Sequence, residues 1–274
     1  PFIVALYCRL FNANYVYHLQ DIHPEAANIV VPLNGVMFGL LKRIDNHTLR
    51  HAKAIITLSE EMKAYIRQRS GIPAPIYLLD NPSFEVVPAP MEERARDVVF
   101  CGNAGRLQRI SLLMTAIREY LHKGGKLRFT FAGGGLYAPD IKALAEEYVQ
   151  VDYLGIVPAT EAVELVNQHR WALLPIDDEV TKYAFPSKSS GYVLSGSGIL
   201  AVCGAKTSVA RWVEELNVGV VCMADHEALV QCLFSLENRE SESFAVEEDV
   251  RERLQIPYFA KRLLDLTLAE GMKG

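Results

Sequence analysis

The residues best suited to bind an anion lie in the run FPSKSSGYVLSGSGILAV, which begins at Phe185. Pro186 is suited to the start of a helix, so Ser187 and Lys188 are predicted at a helix N-terminus, where backbone N–H groups bind phosphate. The charge of Lys188 opposes the helix dipole at that end, and an anionic ligand would resolve the conflict. The pattern favours a phosphate site over the alternative of a solvated surface lysine.

Two glycine-rich turns follow predicted strands. The first is Gly102-Asn103-Ala104-Gly105-Arg106, after VVFC, and the second is Gly133-Gly134-Gly135, after KLRFTFA. Glycine lets the backbone approach a ligand closely, and Arg106 adds positive charge beside the first turn. The spacing is not that of the dinucleotide fingerprint G-x-G-x-x-G. A purely structural tight turn stays open as the alternative for both.

A group of ionisable side chains follows the predicted strand YVYHLQD (15–21). Asp21, His23 and Glu25 alternate along DIHPE. Such groups at a strand end can bind an acceptor hydroxyl or exchange a proton with it, and a structural role is the alternative. The sequence has no H-E-x-x-H, P-loop, G-x-S-x-G or Cys/His ligand pattern, which argues against the enzyme classes that depend on those motifs.

The elements that must position these residues alternate between short apolar strands and amphipathic helices. This rhythm predicts parallel sheets covered by helices on both faces. From Val98 onward it predicts a doubly wound sheet, in which ligands bind beyond the carboxyl ends of the strands. The first 80 residues show the same rhythm with fewer repeats. The stretch 81–97, with Pro82, Pro88 and Pro90, is the best candidate for a linker.

Composition excludes several classes. The chain has 274 residues and a formal net charge of −5, so no global positive field would attract nucleic acid. Its five cysteines show no C-x-x-C spacing, which favours reduced thiols in a cytoplasmic protein. No apolar run is long enough to span a bilayer. The apolar stretch 29–44, which contains Lys42 and Arg43, is interpreted as an ordinary buried helix, with a membrane-surface helix as the alternative.

The order of the motifs CGNAGRLQRI, FAGGG, YLGIVPATEAVELV, ALLPI and FPSKSSGYVLSGSGILAV resembles that of the GT-B nucleotide-sugar glycosyltransferases. It is most similar to the retaining family-four group, which includes bacterial surface-polysaccharide enzymes. The resemblance covers nearly the whole chain and implies two Rossmann-like α/β domains with doubly wound parallel sheets. Residues 1–90 would form a partial, acceptor-side N-terminal domain and 91–255 the nucleotide-sugar-binding domain. Residues 256–274 would be a closing helix that packs back towards the first domain.

The resemblance also implies roles for individual residues. Asp21 and His23 would be catalytic on the acceptor side. The donor site would be formed by residues near the pyrophosphate, the nucleotide and the base: Gly102, Asn103, Gly105, Arg106, Gly133, Gly134, Val157, Glu161, Ser187, Lys188 and Tyr192. Such enzymes usually need no metal, because basic side chains and helix dipoles stabilise the leaving diphosphate.

The implied reaction moves a sugar from a nucleotide-diphosphate sugar, with a UDP-sugar favoured, to a saccharide or lipid-linked acceptor, with retention and without a cofactor. One departure matters: the family usually carries Glu before Tyr in the P-S-K run, and here Gly191 precedes Tyr192. The second interpretation is therefore a catalytically weak or inactive relative that acts as a binding or partner subunit. A nucleotide-sugar epimerase ranks third, and a dehydrogenase last.

The chain begins at Pro1. Compared with the family that it resembles, the chain is expected to lack the first part of the N-terminal domain. A longer chain, a second copy or another subunit would supply that part. The expected location is cytoplasmic, with peripheral contact at the inner face of the membrane.

Overall fold

The computed structural model describes residues 1–239, 244 and 246–271. Tertiary contacts divide the chain into two units. The first contains Pro1–Pro82, Glu179–Phe185 and the described residues from Arg253 on; the second contains the described residues of Ser83–Asp178 and Pro186–Glu252. Each unit has a parallel sheet. The predicted α/β class with Rossmann-like parallel sheets is therefore confirmed.

The first unit has a three-stranded sheet in the order β1-β2-β3. Its strands are β1 (Val16–His18), β2 (Ala54–Thr57) and β3 (Ile76–Leu78), and its helices are α1 (Phe2–Leu10), α2 (Glu25–Val30), α3 (Gly35–His51), α4 (Glu60–Ser70) and α12 (Ile256–Gly271). The sequence predicts that Ser59 caps the start of α4 and that Gly71 ends it. Both predictions are confirmed: the Ser59 hydroxyl accepts from Met62 N at 3.2 Å, and Gly71 ends the helix in the left-handed region at φ 61°.

The interpretation of 29–44 as one buried helix is wrong. Helix α2 ends at Val30, and α3 begins at Gly35 with the Asn34 side chain as its N-cap. Pro32 lies in the break, because the residue before a proline avoids the helical region. The first turns of α3 are exposed rather than buried, with Val36 82% accessible. Helix α1 lies before Tyr15, in a stretch where the sequence patterns predict no element.

A buried ion cluster ties the helices of the first unit together. Glu25 is 5% exposed and accepts from Tyr65 Oη at 2.7 Å and from Arg69 Nη1 at 2.8 Å. Arg69 also donates to Asp45 on α3 and to the His23 carbonyl at 2.9 Å. Because burying a charge is tolerated only when it is paired, these contacts explain how Glu25 lies in the interior. Glu25 is therefore a structural anchor of the loop that carries Asp21 and His23.

The second unit has a six-stranded parallel sheet in the order β6-β5-β4-β7-β8-β9. The strands are β4 (Arg96–Cys101), β5 (Phe129–Ala132), β6 (Val151–Tyr153), β7 (His169–Pro175), β8 (Gly198–Val202) and β9 (Gly219–Cys222). Strands β4 to β6 are added in one direction and β7 to β9 in the other, so the topological switch point lies between β4 and β7. Ligands of open α/β sheets bind at such a point, beyond the carboxyl ends of the strands.

Helices cover this sheet: α5 (Ile110–His122), α6 (Ala138–Glu147), α7 (Ala159–Asn167), α8 (Ser189–Leu194), α9 (Ser208–Glu215) and α10 (His226–Glu237), with α11 (Glu248–Arg253) following. The sequence predicts that the first of these helices begins at Leu107, directly after the glycine turn, and this start is wrong by about one turn. A 3₁₀ turn covers Arg106–Gln108, and Arg109 adopts the left-handed region at φ 47°, which interrupts the helical path before Ile110.

Within the second unit, Arg94 ties the proline-rich segment after Ser83 to the rest of the unit. This side chain is 3% exposed and donates to the carbonyls of Ala89, His169 and Ser195 at 3.1, 2.9 and 2.5 Å. It also donates to Ser197 Oγ at 3.1 Å. A planar guanidinium with several fixed donors suits this role. Arg94 thereby joins the segment after Pro82 to the strands that flank α8.

All five cysteines are free, and four of them are buried, as the prediction of reduced core thiols requires. Among the described residues, no helix combines the length and the apolar character needed to cross a membrane.

His169 makes the stability of the second unit sensitive to acid. The ring is fully buried, its Nδ1 lies 2.6 Å from the Leu165 carbonyl and its Nε2 lies 2.9 Å from Thr130 Oγ1. A carbonyl only accepts, so Nδ1 donates and the neutral Nε2 accepts from the hydroxyl. Burial lowers the pKa of His169 from 6.5 to about 4. The unfolded chain therefore binds this proton first, and stability is lost as the pH falls from 6.5 towards 4.

We expect the denaturant midpoint to fall between about pH 7.5 and about pH 5, and His169→Gln to flatten this dependence while lowering the midpoint at neutral pH. Chemical denaturation of the natural chain and of His169→Gln at the two pH values measures the change in midpoint. An equally steep acid dependence in the variant would assign the effect to other groups.

Candidate functional site: a cavity at the sheet switch point

A cavity of about 650 Å³ opens at the carboxyl ends of β4 and β5. Cys101 and Ala132, the last residues of these strands, are in its wall, and the glycine-rich turns that follow them form its floor. All of its lining residues belong to the second unit. The volume is in the range of small-molecule sites. Strand β4, one of the two strands whose ends line the cavity, borders the switch point, where ligands of open α/β sheets bind.

The two glycine turns pack backbone against backbone. Gly102 N donates to Ala132 O at 2.8 Å, and Ala104 N donates to Gly134 O at 2.7 Å. Gly133 has φ 130°, and a Cβ at that position would overlap the carbonyl oxygen of Gly102. Only glycine meets both the conformational and the steric requirement. The run of glycines therefore brings two main chains together at the cavity floor, which leaves room for a ligand above them.

Lys188 supplies positive charge to the cavity. It is the N-cap residue of α8, and its ammonium donates to the Cys101 carbonyl at the end of β4. Tyr192, one turn later, donates to the same carbonyl at 3.1 Å. Although Lys188 is exposed as a whole residue, desolvation of its ammonium lowers its pKa. An anionic ligand beside the ammonium would favour its charged form and offset that desolvation.

Other titratable groups in the wall are held neutral. Burial raises the pKa of the Cys101 thiol to about 11, with the nearby charge of Lys188 opposing the shift. Burial also raises the pKa of Tyr192. Neither group is poised to act as a nucleophile or base near neutral pH. The described part of the wall thus offers binding contacts and a cation rather than acid–base chemistry.

One side of the cavity is apolar. Helix α7 presents Ala159, Ala162, Val163 and Val166 to it, at the i, i+3, i+4, i+7 spacing of one helical face. Ile156 and Val157 precede this helix, and Val86 lies in the same lining. The cavity therefore combines an apolar side with a cationic, glycine-lined floor.

The cavity brings together eight of the predicted donor residues: Gly102, Asn103, Gly133, Gly134, Val157, Ser187, Lys188 and Tyr192. Three others are outside the set of described lining residues. Gly105 and Arg106 lie in the turn before α5, where Arg106 is exposed, and Glu161 is exposed on α7. Their part in donor binding stays a prediction.

Asp21 and His23 lie in the first unit, just after β1. Both are exposed. Asp21 forms an antiparallel bridge with Ala184, and the adjacent Ile22 N donates to Tyr183 O at 2.7 Å. The His23 carbonyl accepts from Arg69. The loop is thus held on both sides through its backbone, which leaves the two side chains free to face solvent.

Several lining residues were missed by the sequence analysis. Ser83 and Val86 come from the proline-rich stretch, where no periodic pattern points to a site. The α7 face did carry a signal, since Ala159, Ala162, Val163 and Val166 repeat at helical spacing. Small apolar residues at that spacing are normally part of a core, so the signal does not separate a cavity wall from a packed interior.

The two units with parallel sheets have the fold of the GT-B glycosyltransferases. The resemblance noted in the sequence is thereby confirmed at the level of the fold.

Comparison with known proteins points in the same direction. No protein-family model matches the chain. It is similar to the probable glycosyltransferase WbjE of Pseudomonas aeruginosa, with 25% identity over 226 residues that cover 76% of this chain and 56% of WbjE. The chain therefore spans little more than half of that relative.

Two solved structures share the fold at low identity. One is a mutant of TarM from S. aureus in complex with fondaparinux, α-GlcNAc-glycerol and UDP, with a TM-score of 0.66 and 14% identity over 95% of this chain and 53% of that one. The other is WaaG, a glycosyltransferase involved in lipopolysaccharide biosynthesis, with a TM-score of 0.64 and 15% identity over 96% and 80% of the two chains.

Proposed function

We propose that this chain acts in a glycosyltransferase that moves a sugar from a nucleotide-diphosphate sugar to a polysaccharide or lipid-linked acceptor. The observation that carries the proposal is the cavity at the switch point, where an apolar side faces a glycine-lined floor with the Lys188 ammonium above it. A nucleotide has the matching chemistry, since the faces of its flat base can pack against apolar side chains and its diphosphate is an anion. The name of WbjE and the UDP complex of TarM support the proposal from outside the chain.

In the proposed reaction, the bond between the sugar anomeric carbon and the diphosphate oxygen breaks, and an acceptor hydroxyl forms the new bond with retention of configuration. Lys188 and the backbone N–H groups of the glycine turns would stabilise the departing diphosphate charge. No metal is part of this proposal. The proton of the acceptor hydroxyl would pass to a base, for which Asp21 and His23 are the proposed groups.

The proposed acceptor is a saccharide or a lipid-linked sugar, and the proposed location is cytoplasmic with peripheral membrane contact. The role of WaaG in lipopolysaccharide biosynthesis favours such an acceptor. Hexose and aminohexose donors both fit the proposal.

Calorimetric titration tests the proposal directly. We expect UDP to bind the folded chain more tightly than uridine, because the diphosphate reaches Lys188. Absence of heat with UDP, UDP-sugars and GDP-sugars would overturn it.

A specific observation favours a second candidate, a catalytically weak or inactive relative that acts as a binding or partner subunit. Gly191 lines the cavity in place of the expected Glu, so no carboxylate stands at that point of the wall. A Cβ at Gly191 would come within 3.1 Å of Ser83 Oγ, a side chain that can turn away. The cavity can therefore accept a longer residue there.

We expect Gly191→Glu to bind a UDP-sugar about tenfold more tightly than the natural chain, because a carboxylate accepts strong hydrogen bonds from sugar hydroxyls. Gly191→Gln, which has the same length and no charge, is the control. Titration gives the affinities, and release of UDP in the presence of a cell-envelope glycan extract gives the turnover. Turnover by the natural chain excludes the inactive candidate; turnover by Gly191→Glu alone supports it.

A further inference from the structure

Two cysteines of the second unit form a pair outside the cavity. Cys222 is the last residue of β9, and Cys232 lies on α10, the helix that packs on that strand. A hydrogen bond joins the two thiols. Neither residue is among the described residues that line the cavity, and the proposed function gives neither a role. The pair therefore needs its own explanation.

The two thiols face each other across the layer between β9 and α10. One side of α10 faces the core, and its residues recur at the i, i+3, i+4, i+7 spacing: Leu229, Cys232, Leu233 and Leu236. Cys222 belongs to the same hydrophobic cluster, against which Cys232 packs. The pairing of the thiols thus follows from the faces on which the two side chains lie.

The neighbouring thiol, Cys203, lies on the other face of the sheet. Val202 and Cys222 are register partners in the parallel pair of β8 and β9, and both belong to the cluster beneath α10. Cys203 follows Val202, so its side chain alternates to the opposite face. Its sulfur lies 3.3 Å from the Oγ1 of Thr207, the N-cap residue of α9. Cys203 is therefore next to Cys222 along the main chain, but its thiol has a different partner.

The paired thiols differ in reactivity. Cys232 is partly exposed, whereas Cys222 is 4% exposed. The hydrogen bond from Cys222 lowers the pKa of the Cys232 thiol; the charge of Arg239 acts in the same direction, and burial opposes both. The same hydrogen bond, together with burial, raises the pKa of Cys222. Because the thiolate is the nucleophile, Cys232 is the thiol that reacts first with an oxidant.

We propose that Cys222 and Cys232 form a reversible disulfide when the protein meets hydrogen peroxide. The Cys232 thiolate attacks one peroxide oxygen, the O–O bond breaks, and Cys232 becomes a sulfenic acid as the first water leaves. The Cys222 sulfur then attacks the Cys232 sulfur, the S–O bond breaks, and a second water leaves. Two thiols and one peroxide thus give one disulfide and two waters, and a dithiol reductant reverses the oxidation.

The disulfide would act on the edge of the sheet. Strand β9 is at the end of the strand order, so among the described strands it is hydrogen-bonded to β8 alone. A strand with one partner has fewer hydrogen bonds to lose when it opens locally. A covalent link to α10 closes a short loop through residues 223–231 and restrains that opening. This effect does not depend on what the cavity binds, so the inference is independent of the proposed function.

Mass spectrometry of the folded chain tests the proposal. After treatment with hydrogen peroxide and alkylation of the remaining thiols, we expect two of the five thiols to be lost and to return with dithiothreitol. Trypsin releases residues 212–239, which contain no cysteine besides this pair. Cleavage before Asp225 then separates Cys222 from Cys232, so only a disulfide holds the two pieces together. Oxidation of Met223 adds an oxygen and is distinguished by its mass.

Two variants assign the roles of the thiols. Cys222→Ser removes the thiol that closes the disulfide, so Cys232 is expected to stay a sulfenic acid that dimedone labels. Cys203→Ser is the matched control, because it removes a buried neighbouring thiol on the other face and should oxidise like the natural chain. Hydrogen exchange of the natural chain provides the third measurement: the amides of β9 are expected to exchange about tenfold more slowly after oxidation.

The mapping on the natural chain decides the proposal even if a variant does not fold. A disulfide that contains Cys203, a disulfide between two chains, or further oxidation of Cys232 without a disulfide would overturn it. Five thiols that stay unchanged in peroxide would do the same. Unchanged exchange of the β9 amides in the oxidised chain would overturn the stabilising effect on the sheet edge.

Discussion

Lys188→Ala is expected to lower the affinity for UDP by about ten- to a hundredfold, which is the effect of one hydrogen bond to a charged group. The affinity for uridine should hardly change, because uridine has no phosphate to contact the ammonium. The loss should shrink as salt is added, since the interaction is between charges near solvent. Calorimetric titration of the two ligands with the natural chain and the variant measures all three effects.

The Lys188→Ala variant is expected to fold. The Cys101 carbonyl loses the Lys188 donor but keeps the Tyr192 hydroxyl at 3.1 Å, so it is not left without a partner in the interior. Lys142→Ala is the control, because Lys142 is an exposed lysine of α6 whose ammonium lies 3.9 Å from Glu146. If both variants lost UDP affinity equally, or if neither lost any, Lys188 would not be a contact of the UDP diphosphate.

Gly133→Ala is expected to destabilise the protein by about 3 kcal/mol or more. The substitution has two costs, backbone strain at a positive φ and a steric overlap of the new Cβ. The added Cβ would overlap the Gly102 carbonyl, which is main chain and cannot turn aside. The two glycine turns would have to separate, so the variant should also bind UDP more weakly. Chemical denaturation and titration measure the two losses.

Gly124→Ala separates the two causes. Gly124 also has a positive φ, 88°, but a Cβ there would meet nothing within 4 Å. Its cost should therefore be about 1 kcal/mol, from backbone strain alone, and UDP binding should be unaffected. If Gly133→Ala and Gly124→Ala lowered the free energy of unfolding equally, the close approach of the turns at Gly133 would contribute nothing to the effect.

The sequence was sufficient to predict the parts of the fold that depend on local patterns. Strand–helix alternation predicted both parallel sheets, and Ser59 and Gly71 marked the ends of α4. The glycine turns were noted because glycine at a strand end lets the main chain approach a neighbour closely. Lys188 was found because a lysine at a helix start needs an explanation.

The rest depended on contacts between distant residues. Glu25 has the same spacing as Asp21 and His23, and only the positions of Tyr65 and Arg69, 40 and 44 residues away in sequence, turn it into a buried anchor. Burial of an apolar helix face likewise depends on what packs against it, so the sequence of α3 could not reveal that its first turns are open. Arg109 gave no sign of its left-handed conformation, which favours glycine or asparagine.

The segment Glu179–Phe185 has a consequence for how this protein can be divided. The chain passes between its two units four times, and this segment belongs to the first unit although the sequence on both sides of it belongs to the second. A gene fragment that starts after Pro82 and stops before Arg253 would therefore carry seven residues whose partners, Asp21 and Ile22, are missing. Neither unit can therefore be exchanged between relatives as one continuous stretch of sequence. A chimera that combines the second unit with the first unit of a relative must also keep the segment that matches that first unit, or replace Glu179–Phe185 with a new turn.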